Sequence, residues 1–227
     1  MKPNYLLSIS IIAILILTTA YFLKFLNWNF DDSYIVYRIV SNILEGNGWV
    51  YNIDEPYNAS TSILNTILIA VLSIVTSDIA LSGHLVGGLG ISLAAITFFQ
   101  IFQRDFGVFL SLLGALYLIQ LMSTNLTWGL ETNLFIGLVF LFIFIEHKSR
   151  RGAWCTLGLV ILARPDGALL LLLKAAQEIL KNKALPWQGL FIVSLVILPW
   201  TLYSLVTFGQ VFPETLGQKI WQGNSGH

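Results

Sequence analysis

Residues 29–66, NFDDSYIVYRIVSNILEGNGWVYNIDEPYNASTSILNT, are the longest polar interruption in a chain that otherwise reads as membrane. Two adjacent carboxylates, Asp31 and Asp32, open the stretch directly after a first apolar span. Ile35, Val36, Ile39, Val40, Ile43 and Leu44 then fall at i, i+4 and i+8. This spacing predicts one apolar stripe on a helix, with Arg38, Ser41, Asn42 and Glu45 on the other face. Gly46 and Gly48 supply the helix stops. A helix of this kind lies flat on a bilayer, and paired acids at its start point to a site built at the membrane surface.

Of the 227 residues, 56% are hydrophobic and only 11% are charged. A soluble domain carries about a quarter charged residues. The composition therefore predicts an all-α, polytopic transmembrane helix bundle, a single membrane domain over residues 1–227 with an outer-face loop at 27–66. Net charge is zero and no basic block is present, which excludes binding to nucleic-acid phosphates. One cysteine, Cys155, makes no intrachain disulfide and, without clustered histidines, no zinc site. His84, His147 and His227 are scattered and read as incidental.

The apolar run at residues 5–26 is too long for a signal-peptide core of roughly 7–15 residues and lacks a small-residue cleavage motif. It is expected to be a retained first transmembrane helix. Further apolar segments are predicted at 62–77, 79–102, 106–122, 133–145, 153–162, 168–180 and 190–208. At about 1.5 Å per residue the first of these reaches roughly 24 Å, short of a hydrocarbon core of about 30 Å. Basic residues cluster at Lys2, Arg104, Lys148/Arg150/Arg151 and Lys181/Lys183. If 62–77 does not span, all four clusters fall on the cytoplasmic side. Asp31, Asp32, Glu131, Arg164, Asp166, Glu214 and Lys219 then share the outer side, and charged groups beside apolar spans are costly and rarely idle.

Several of these groups have two readings. Asp31–Asp32 is either a helix N-cap or a catalytic pair. Glu131, in Thr127–Thr132 (TWGLET), reads as a solvated loop acid. Asn58-Ala-Ser and Asn125-Leu-Thr fit the glycosylation acceptor pattern. Arg164-Pro-Asp166-Gly is either a turn with a local ion pair or an arginine presented to a lipid phosphate. Lys219 is either an interfacial lysine or a second cation for that phosphate.

Taken together and in order, these patches resemble the polytopic glycosyltransferases of the GT-C superfamily, in particular the arabinofuranosyl- and mannosyltransferase-like branch that uses polyprenyl-phosphate sugars. The resemblance is carried by Asp31-Asp32-Ser-Tyr34-Ile-Val-Tyr37-Arg38, Glu45-Gly46-Asn-Gly48, Tyr51-Asn52, Ser60-Thr61-Ser62-Ile-Leu64, Gly129-Leu-Glu131-Thr132, Arg164–Gly167, and Pro213, Thr215 and Lys219. Ser60 stands where that family usually has an aromatic residue, and Glu214 where Asn is frequent. Members of the family generally continue through further spans, so the chain is expected to be the N-terminal part of such a protein or one half of a split one.

The resemblance implies a GT-C-like bundle in the plasma (inner) membrane that moves a sugar from a polyprenyl-phosphate donor to a glycan, lipid or protein acceptor of the cell envelope. The active site would face the outside or periplasm, and transfer would proceed with inversion. Asp31 or Asp32 would be the general base, and Arg38, Glu131, Arg164, Asp166 and Lys219 would contact substrate. Glu131 would position the acceptor or complete a divalent-cation site (Mg, Mn or Ca) with the acid pair, although nothing in the sequence requires a metal. Competing readings are a transporter or flippase of a lipid-linked substrate, and a noncatalytic membrane subunit paired with a second chain that supplies the missing spans.

Overall fold

The computed structural model describes residues 5–210, apart from 54, 56, 57 and 126. The described residues form helices and no strand: α1 (Tyr5–Phe25), α2 (Ser33–Leu44), α3 (Ile63–Thr76), α4 (Ile79–Thr124), α5 (Thr132–Glu146), α6 (Arg150–Ala163), α7 (Ala168–Asn182) and α8 (Trp187–Phe208), with a 3-10 turn at Pro165–Gly167 between α6 and α7. The apolar segments expected from the sequence are all helical. The main departure is α6, which starts earlier than expected. Ser149 caps it by accepting from the Gly152 N–H at 3.1 Å, drawing Arg150 and Arg151 into the first turn.

α4 is two arms joined at a break. Gly107 has φ 74° and ψ 167°, a conformation open to glycine alone, and the chain reverses there. Ala94, Ala95 and Phe99 before the break pack with Ala115, Ile119 and Met122 after it. The two arms correspond to the two segments predicted at 79–102 and 106–122.

α1, α4 and α8 are long and apolar enough to cross a membrane, and α3 and α5 are shorter apolar helices. The outward surface fits that setting. Ile9, Ile12 and Ile16 on α1, Phe109 and Leu113 on α4, Leu169, Leu172 and Leu173 on α7, and Phe191 and Leu195 on α8 are all exposed. Water would penalise so much exposed hydrocarbon, whereas lipid would not. Cys155 is also exposed.

Contacts between helix ends give the bundle two distinct poles. The C-terminal end of α1 meets the turn before α5, with Phe25 and Trp128 rings 6.2 Å apart. His84, in the second turn of α4, faces the carbonyls of Phe25 (3.1 Å) and Trp28 (2.9 Å) through Nε2 and stacks on Trp128. His84 is thus a fully buried latch between α1 and α4, not the incidental residue its isolation in sequence suggests. From this pole α5 runs away to Glu146, which binds Lys174 of α7 at 2.6 Å. α6 returns to Arg164, and α7 runs away again to Glu178, which pairs with Arg150 at the start of α6. One pole therefore holds Asp31, Asp32, Glu131 and Asp166 and is called the acidic pole. The other, the basic pole, holds Arg104, Lys148, Arg150, Arg151, Lys181 and Lys183. α3 starts beside Leu162 in the last turn of α6 and ends just before α4 begins. It does not carry the chain from one pole to the other, as its short apolar run suggests.

The α4–α5 contact depends on small residues. A Cβ on Gly137 would lie 2.5 Å from the Gly90 carbonyl oxygen, and one on Gly90 would strike the Asn133 backbone. The helices touch backbone to backbone, the close approach that small residues permit. Gly90→Ala is expected to destabilise the fold by about 1–3 kcal/mol, since no rotamer change relieves a clash with main chain. Gly88→Ala, whose Cβ meets only side chains at 3.7 Å or more, should leave the melting temperature near wild type. Thermal melts of both variants in detergent check this pair.

Candidate functional site

The acidic pole is assembled around α2. Asp32 sits at its start with helical φ −62° and ψ −21° and makes no side-chain capping bond. A capping carboxylate needs an extended backbone to reach back to the N–H groups of the first turn, so the N-cap reading of the pair is not realised. The neighbouring Ser33 hydroxyl donates to the Phe30 carbonyl at 2.5 Å instead. Asp31 and Asp32 are both exposed, and among the described residues neither carboxylate has a hydrogen bond or ion pair.

The buried stripe of α2 is rotated from the one the sequence predicts. Val36, Ile39 and Val40 are buried as expected, but Ile35 and Leu44 face outward, while Tyr37 and Asn42 turn inward. The inner face packs on α3 and α4, so burial of α2 comes from protein contact and not only from a bilayer surface. Tyr37 lies against two glycines. A Cβ on Gly83 would stand 2.5 Å from its hydroxyl, and one on Gly129 would collide with it. Gly129 also has φ +85°, which a side chain would strain. The Tyr37 hydroxyl donates to Asn29 Oδ1 at 3.2 Å. Burial pushes this phenol up to about 12, against a weaker downward pull from the Ser33 hydroxyl.

Asn42, placed by the sequence on the polar face, is fully buried and donates to the carbonyls of Val50 (2.8 Å) and Tyr51 (3.0 Å). It pins the loop after α2 back onto the helix. Trp49 is thereby held against Trp200 of α8, with ring centroids 4.6 Å apart. Between α2, α3, the end of α6 and α8 lies a groove of about 560 Å³, lined by Trp49, Ile67, Val71, Leu162, Trp200 and Tyr203 among others. Its wall is almost wholly apolar, and Leu162 leads directly into the Arg164 turn. Ahead of α3, Ser60 bonds to Asn58, Ser62 and Thr66 in a buried hydroxyl–amide network. Asn58 is completely buried, which rules out its sequon as a glycosylation acceptor in this fold. The second sequon includes Leu126, outside the described residues.

Of the residues singled out in sequence, the structure joins Glu131, Arg164 and Asp166. Arg164 ends α6 in extended conformation, as a residue before proline prefers. Its Nη2 donates to Asp166 Oδ2 at 2.9 Å, its Nε stands 3.9 Å from Glu131 Oε1, and its guanidinium lies 5.6 Å from the centre of the Phe135 ring. The local ion pair of the Arg-Pro-Asp-Gly turn is therefore formed, and Glu131 is drawn into it instead of being a solvated loop acid. Arg38 projects outward from α2 with no ionic partner among the described residues. Lys219, with Pro213, Glu214 and Thr215, lies outside the described residues. Among those described, no group of three His, Cys, Asp or Glu side chains could hold a metal ion. Asp31, Asp32 and Glu131 thus do not form the carboxylate cage a divalent cation takes.

Asn42, Tyr37 and the Trp49–Trp200 pair were not assigned roles from the sequence. The signal available was local: an amide inside an amphipathic helix, and aromatic residues where a span meets water. No family model, curated protein or solved structure matches the chain.

Tyr37 gives a pH test of this packing. Its phenol stays neutral in the fold to about pH 12 but ionises near pH 10 once unfolded. Its contribution to stability is therefore complete below pH 10 and is lost as pH rises towards 12. In Tyr37→Phe this alkaline loss should disappear. Melting temperatures at about pH 9 and pH 11 should converge more closely in the variant than in wild type.

Proposed function

We propose that the chain takes part in glycosyl transfer from a polyprenyl-phosphate sugar to a cell-envelope glycan, lipid or protein at the acidic pole, oriented to the outer face. The observation that carries this reading is the apolar groove beside the Arg164 turn, at the same pole as an acid pair that no helix cap or ion pair consumes. A volume of about 560 Å³ is within the range of roughly 300–1,000 Å³ usual for ligand sites. A prenyl chain suits walls of tryptophan, isoleucine and leucine, and a phosphate suits a neighbouring guanidinium.

In this scheme the lipid tail occupies the groove and its phosphate meets Arg164, with Lys219 as a second cation and Arg38 at the substrate margin. Arg164 is already bonded to Asp166, but that carboxylate is well exposed, and such surface pairs are worth about 0–1 kcal/mol. The donor's singly charged phosphodiester displaces it at small cost, its charge grows as the sugar–oxygen bond breaks, and Glu131 keeps the guanidinium in place. Asp31 or Asp32 takes the proton from the acceptor hydroxyl as its oxygen attacks the anomeric carbon. The bond from that carbon to the phosphate oxygen breaks with inversion, and polyprenyl phosphate leaves with its charge met by fixed cations. No metal enters the scheme. A transporter would hold its charged groups near mid-membrane, whereas the charges here gather towards the two poles.

The test is sugar transfer by the full chain reconstituted in lipid, from a panel of polyprenyl-phosphate sugars. Transfer is expected from at least one donor. Asp31→Asn/Asp32→Asn should lower the rate by about 10²–10⁴, the usual worth of a general base, with folding unchanged. Full activity in that double variant would refute the assignment.

A further inference from the structure

The basic pole carries a second pocket, remote from the acidic pole and unused by glycosyl transfer. It has a volume of about 560 Å³ and lies between the start of α1, the end of the first arm of α4 and the end of α5. Leu7, Ile101 and Phe144 give it an apolar wall, and Arg104, His147 and Lys148 bring basic groups to it, with Asp105 also in the lining. Gln100 and Gln103 add neutral donors.

Its cations differ from others at the same pole. Arg150 is consumed by Glu178, and Lys174 by Glu146 and Glu178. Among the described residues Arg104 and Lys148 form no ion pair, although Asp105 adjoins Arg104 in sequence. Lys148 instead lies over the Phe144 ring, its Nζ 3.7 Å from the ring centre. That cation–π contact stations the ammonium where the charged lining meets the apolar wall. A free phosphate would gain only from the cations. An amphiphile with an anionic head would satisfy both parts, and basic pockets between membrane helices take such headgroups.

We propose that this pocket is a binding site for an anionic phospholipid, its phosphate held by Arg104 and Lys148 and the start of its acyl chains lying against Leu7 and Phe144. The site is independent of the transferase reading. It would tie the basic pole to the leaflet that the positive charge selects.

The experiment measures lipid binding to the full chain in detergent by native mass spectrometry and by melting temperature. Phosphatidylglycerol, phosphatidylcholine and inorganic phosphate are titrated separately. Phosphatidylglycerol is expected to bind saturably and raise the melting temperature, while phosphatidylcholine and phosphate do neither at the same concentrations. Arg104→Gln and Lys148→Gln should each weaken phosphatidylglycerol about fivefold, the worth of one basic residue at an anionic surface. Both side chains are exposed and outside any ion pair among the described residues, and each variant's melting temperature without lipid verifies its fold. Arg151→Gln and Lys183→Gln, at the same pole but outside the pocket, should stay within about twofold of wild type. Equal binding of the two lipids, a full response to phosphate alone, or equal weakening by the outside variants would overturn the proposal.

Discussion

The acidic pole depends on one wedge, the Tyr37 ring set between Gly83 and Gly129. It is the point at which the loop after α1, the first arm of α4 and the turn before α5 come into register. Removing water from a phenol carries a penalty unless the hydroxyl is bonded, and the Asn29 amide supplies that bond. With the wedge in place, Asp31 and Asp32 are carried to the rim at the start of α2, and Glu131 starts α5 close enough to share Arg164 with Asp166. A larger residue at either glycine would separate these parts without touching a carboxylate.

A second consequence follows from Asn42. Its two bonds to the returning loop place Trp49 against Trp200, and that tilted pair forms one wall of the groove. Pro199 lines the same groove and, lacking an N–H, leaves a carbonyl of the preceding turn without its helical partner. Groove and acid pair are thus two products of one short helix, α2, packed by a polar residue and an aromatic one on its inner face. Nearby Asn65 is buried with both ends of its amide unpartnered; we have no physical account of it.

Much of the fold was legible because apolar run length and glycine punctuation are strong local signals. The helices fall where those runs lie, and the short run at 62–77 is a helix that stays at one pole, as its length implies. Side-chain direction was less legible. The α2 stripe was read from hydrophobicity alone, which assigns Asn42 to water and Ile35 to the interior, and the structure reverses both. Partners distant in sequence decide such cases. Likewise the Arg-Pro-Asp-Gly turn advertised its own ion pair, but nothing local could tell that Glu131 would join it. The unused capping potential of Asp32 rests on its backbone angles, which composition does not encode.

The central claim is that the groove between α3 and α8 holds the lipid of a polyprenyl-phosphate carrier. The most direct measurement is photo-crosslinking with a diazirine-bearing polyprenyl phosphate, mapped by mass spectrometry and competed with unlabelled carrier. Crosslinks on Trp49, Ile67, Val71, Trp200 or Tyr203 that the competitor removes are the expected result. Labelling confined to the lipid-facing sides of α1 and α7, unmoved by competitor, would contradict it.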